Sequence, residues 1–127
     1  PAAPGGGKLG CDLQEVSAHS ETTWRDLLGD EDFRLVRRIV AEGAESLEVA
    51  ATRLWSARES LKKAGVTATA PLVLEAVGAD GWVTLRAGAL MVATCVIPVR
   101  GAEKSLVAAV VFERGAAAAQ HAGLAVA

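Results

Sequence analysis

The chain has 127 residues, is 51% hydrophobic and 22% charged, and carries a formal net charge of −2 at pH 7. That length supports one core and leaves two independent cores marginal, while the apolar content excludes disorder throughout. Because 13 Lys+Arg do not exceed 15 Asp+Glu, the basic footprint of a nucleic-acid binder is missing, and no apolar run reaches the roughly 18 residues of a membrane span.

The chain begins at Pro1 rather than Met, and residues 1–11, rich in Pro and Gly, read as a flexible lead-in. Such a stretch suits what remains after removal of a targeting segment, or an ordinary chain terminus; no compartment follows from it. Its GGGK string lacks the spacing and the following Ser/Thr of a phosphate-binding loop. Residues 12–114 are expected to form a single domain. Asp12 to His19 has weak helical character, Thr23 opens a short helix that Gly29 stops, and Asp30 is a good N-cap for the next helix.

The clearest signal runs from Glu31 to Ala64. Counting by sevens from Phe33 meets Val40, Leu47, Leu54 and Leu61, all large and apolar. Counting from Val36 meets Gly43, Ala50, Ala57 and Ala64, all small. This is a heptad stripe, large at one seam position and small at the other. Gly65 and the last-turn Lys62 and Lys63 mark its end. As one helix it is about 48 Å long against roughly 30 Å for a strand of eight to ten residues, so one end overhangs any sheet unless Gly43 breaks it.

From Val66 the period becomes strand-like. Leu72–Val77, Trp82–Arg86 and Ala89–Val99 read as strands separated by Gly-containing turns, and Ser105–Phe112 reads as a fourth strand or as a helix. The expected fold class is therefore α+β: a long N-terminal heptad-patterned helix packed on a C-terminal antiparallel β-meander of three to four strands. Residues 115–127 form a tail or short helix. The last two runs are apolar on both faces, which calls for a layer on each side of the sheet. The long helix is one layer; the other is the C-terminal segment, the Trp24 helix or another chain.

No catalytic constellation emerges. His19 and His121 lack partners at metal-ligand spacing, no nucleophile elbow occurs, and no cofactor is implied. Cys11 and Cys95 are too few for a disulfide scaffold, and their pairing stays open. Trp55 lies about 100° around the helix from the apolar stripe, where it is either an interface residue or covered by a loop or the N-terminal segment. The expected function is thus a non-enzymatic interaction or assembly subunit, engaging a protein partner or a second copy through Val36, Val40, Gly43, Leu47, Ala50, Leu54, Ala57, Leu61 and Trp55. The alternative is a small-ligand or enzymatic domain with an apolar pocket between helix and curved sheet, of at least about 300 Å³ and rimmed by Glu75, Arg86 and Arg100.

Overall fold

The computed structural model describes residues 10–101 and 104–113. The expected stripe is present, but it is divided between two helices, α2 (Asp30–Gly43) and α3 (Leu47–Lys63), preceded by the short α1 (Glu21–Leu28). The division falls where helix propensity is weakest and a strong cap follows. Gly43 ends α2, Ala44 adopts the left-handed conformation at φ 51°, and the Ser46 side chain accepts from the Val49 N–H to start α3. The long single helix is therefore corrected to a pair, of about 21 and 26 Å. Both match the sheet beneath them, and the expected overhang disappears. Since a Cβ in that conformation costs roughly 1–2 kcal/mol and glycine gives back part of this in chain entropy, Ala44→Gly is expected to raise stability by about 0.5–1 kcal/mol in urea melts; a loss would contradict this account of the bend.

Caps set the other boundaries. The Ser20 side chain accepts from the Thr23 N–H, so α1 starts at Glu21 and not at the expected Thr23. Gly29, not Asp30, is the N-cap of α2, with Asp30, Glu31 and Asp32 in its first turn. At the far end of α3, Gly65 (φ 88°) donates to the Lys62 carbonyl and Val66 to that of Leu61, the paired bonds of a glycine-stopped helix.

The sheet has five antiparallel strands: β1 (Gly10–Glu15), β2 (Val73–Val77), β3 (Val83–Ala87), β4 (Leu90–Ile97) and β5 (Leu106–Glu113), in the order β1-β5-β4-β3-β2. The expected three to four strands become five, and the residue 105–112 stretch is strand. The addition is β1, where weak helical character and the end of a lead-in were expected. Gly10 and Cys11 already belong to it; the rest of that lead-in and residues 115–127 lie outside the described residues. Strand β1 reaches its place across the whole chain, pairing Gly10 with Val111 and Glu15 with Leu106.

All three helices lie on one side of the sheet. Helix α3 crosses β1, β5 and β4, α2 packs on α3 and β2, and α1 packs on α2 and α3. The small seam positions allow this: Ala50 and Ala57 are fully buried, and a Cβ on Gly10 would lie 2.2 Å from the Ser60 carbonyl oxygen. Backbones thus meet as closely as the alanine-rich sequence requires, but within one chain. Trp24 anchors α1, buried among the core residues with the His19 ring edge-on to it.

Two polar links, through Arg53 and Asp12, tie the helices to the sheet, and a third, through Arg58, joins α2, α3 and the segment after α3. The buried Arg53 guanidinium donates to both Glu45 carboxylate oxygens, to the Thr94 carbonyl and hydroxyl, and to the Gly81 carbonyl. Arg58 donates to Asp32 at 2.7 and 2.8 Å and to the Ala70 carbonyl. On β1, the Asp12 carboxylate accepts from Ser56, Gln14 and Lys63. The Asp12 bond holds the Lys63 ammonium above the ordinary lysine pKa. Lys63 thus bonds β1, while on the outer face of α2 Arg38 pairs with Glu42 at 3.2 Å.

Candidate functional site

Side chains alternate across a strand, so each helix-facing row has a counterpart on the other side of the sheet. Toward the helices point Leu85, Val92, Thr94, Val107, Ala109 and Val111, all buried. The registers Ala93↔Val110 and Cys95↔Ala108, with Met91↔Phe112 and Ile97↔Leu106, place eight uncharged side chains together on the opposite face. Leu13 and Cys11 on β1 extend that row beyond β5. Leu13 is 58% exposed, Val110 45% and Ile97 40%, while Ala93, Cys95 and Ala108 are half-buried between their neighbours.

Among the described residues every helix packs on the other side, so this apolar face has no second layer. The Trp24 helix, one of the three expected covers, belongs to the helical layer. The residues after β5 lie outside the described residues. Contiguous exposed apolar surface of this kind marks interaction sites in soluble folds.

The face is not flat. Across β4 and β5 the register sets the small side chains of Ala93, Cys95 and Ala108 side by side, so their size alone leaves a shallow hollow among larger neighbours. Met91 and Phe112 bound it at one end, Ile97 and Leu106 at the other, and Val110 stands beside it. Among the described residues the charges beside it are paired: Glu15 at the β1 edge with Lys104 at 3.0 Å, and Arg86, next to Met91 on β3, with Glu75 on the edge strand β2.

The expected interface residues are distributed differently. Val36, Ala50, Leu54, Ala57 and Leu61 are at most 1% exposed and form the core of this chain, so no partner reaches them. Val40 and Leu47 are half-buried against that core, and Gly43 is exposed at the bend. Trp55 lines a half-open cleft of about 230 Å³ with Leu27, Leu28, Arg58 and Lys62. That cleft lies among α1, α3 and the segment after α3, not between helix and sheet, and is smaller than the pocket expected for a small-ligand domain. Nor does the expected rim assemble: Arg86, on β3 beside Met91, faces Glu75, while Arg100 follows the far end of β4.

The two cysteines share the open face but not a bond. They sit on β1 and β4 with β5 between them, two residues out of step, which puts their Cα atoms about 12 Å apart against the roughly 7 Å limit of a disulfide. Both are free thiols. Among the described residues no group of three His, Cys, Asp or Glu could hold a metal ion, and no helix is long and apolar enough to cross a membrane.

Sequence reasoning identified the two-faced strands but not which side the described helices cover. The signal was present in the matching apolar content of Met91–Ile97 and Leu106–Phe112. The heptad stripe drew the expected interface onto the helix, where the structure places core residues instead. No family model, curated protein or solved structure matches the chain.

Proposed function

We propose that this protein is a non-enzymatic assembly subunit that docks a polypeptide on the open face of its sheet. One observation carries the reading: eight uncharged side chains of β4 and β5, contiguous in register, face away from every helix among the described residues. A face of this composition gains little from small polar ligands and much from burial against another apolar layer, at about 25 cal/mol per Å² removed from water. The partner surface thus moves from the helical stripe to the sheet, and the role of interaction subunit is kept. The helix–sheet ligand pocket has less support, since the cleft beside Trp55 is small and its Arg58 is already engaged by Asp32.

Photocrosslinking tests the reading. Benzoylphenylalanine in place of Val110 is expected to give adducts to a polypeptide in the native cell. The same group in place of Arg34, exposed on the outer side of α2, is expected to give none. Equal labelling from both positions, or none from Val110, rejects a docking role for the sheet.

A further inference from the structure

The open face contains both halves of a contact. Val110 projects from β5, 45% exposed, and the hollow of Ala93, Cys95 and Ala108 lies one cross-strand step and two residues away. A knob and a hollow side by side on one surface are what an isologous interface needs, because a two-fold axis between them puts each knob into the other copy's hollow. We infer that the occupant of the face is a second copy of this chain, paired sheet to sheet about such an axis. This rests on the docking reading above and names its partner.

Three features favour self-pairing over a different partner. The hollow is lined by Ala and Cys and the knob is Val, so the volumes match without a large anchor from elsewhere. The centre of the face carries no charge, so two copies bring no like charges together. The flanking charges are already paired within each copy, as Glu15–Lys104 and Glu75–Arg86, so among the described residues they give an oppositely charged protein little to select. Area agrees. The whole sheet, with two strands of eight residues and three of five or six, spans at most about 19 by 27 Å, so two copies paired over its full extent, the Glu75–Arg86 pair included, bury up to about 1,000 Å², the threshold for a specific interface.

The test uses the full chain. Light scattering coupled to size exclusion over a wide dilution series is expected to give a dimer of the 13.0 kDa chain. Val110→Asp puts a charge where the partner's hollow closes and is expected to weaken dimerisation by at least about 100-fold. Ala108→Phe fills the hollow while keeping the face apolar and is expected to dissociate the dimer as well. Leu27→Ala, which trims an apolar side chain exposed on α1, is expected to leave it intact. Circular dichroism and urea melts confirm that each variant is folded. The Cys95 thiol is expected to resist maleimide in the dimer and to react in the Val110→Asp monomer. A dimer indifferent to both face variants overturns the inference. A monomer with a reactive Cys95 overturns self-pairing while leaving docking of another polypeptide in place. A monomer whose Cys95 is protected until residues 115–127 are deleted overturns both, because the chain then covers its own face.

Discussion

Replacing Arg53 with Ala is expected to lower the stability of the fold by about 3–5 kcal/mol, read as a fall in the urea midpoint with an unchanged slope. Arg53 is 2% exposed, and its guanidinium joins the α2–α3 connection through Glu45, β4 through Thr94 and the β2–β3 turn through Gly81. Truncation leaves the Thr94 and Gly81 carbonyls without this donor and a void where the side chain packed. Each unpartnered buried group costs about 1–3 kcal/mol and the void adds to that. Arg53→Met keeps most of the packing and isolates the polar part, so its loss should be smaller than that of Ala. The pair Arg53→Ala and Glu45→Ala should be strongly non-additive, since one salt bridge is removed by either change. A loss below about 1 kcal/mol for Arg53→Ala would mean that the surroundings collapse around the site, and the bridging role would fail.

Gly10→Val is expected to cost about 2–3 kcal/mol and to act locally. A Cβ at this position meets the Ser60 carbonyl at 2.2 Å and the Ala64 nitrogen at 3.3 Å, both backbone atoms of the α3 C-terminal region that cannot swing aside. The strand must move off the helix, drawing Asp12 away from Ser56 and Lys63. Hydrogen exchange should then show lost protection along β1 and its β5 partners while β3 and β4 keep theirs. Cys11→Val is the control: the next residue on the same strand faces the open side, and a β-branched side chain there should be neutral or slightly stabilising. Equal losses from both variants would show that strand propensity, not the Gly10–Ser60 contact, governs β1.

Both predictions concern features that a local reading of the chain misses, for different reasons. Arg53 sits among Thr52, Leu54 and Trp55 and reads as an ordinary charged helix residue, because its partners Gly81 and Thr94 are 28 and 41 residues away. Strand β1 alternates apolar and polar for only a few residues and carries Gly, Asp and Gln, so its propensity for any regular structure is weak. It exists because β5 offers a free edge and α3 a close-packed floor. The residue 105–112 run was ambiguous in period and became strand by the same edge-pairing logic, between β1 and β4.

The heptad stripe shows the opposite case, in which a signal is correct and its use is not. Ala50, Leu54, Ala57 and Leu61 do form one apolar seam. Periodicity reports which side of a helix is apolar and is silent on what meets it. The bend at Gly43 to Ser46 shortened the helix to the length of the sheet, and the seam found its cover inside the chain.

From the sequence alone came the α+β class, the antiparallel order of the later strands, the turn positions and the knowledge that β4 and β5 are apolar on both sides. These follow from short-range chemistry: glycine conformations, caps and side-chain alternation act within a few residues. Only the tertiary structure decided the fifth strand, the buried Arg53 bridge and the side of the sheet that no helix covers among the described residues. Those depend on pairings between residues tens of positions apart, and on all three helices settling on the same face.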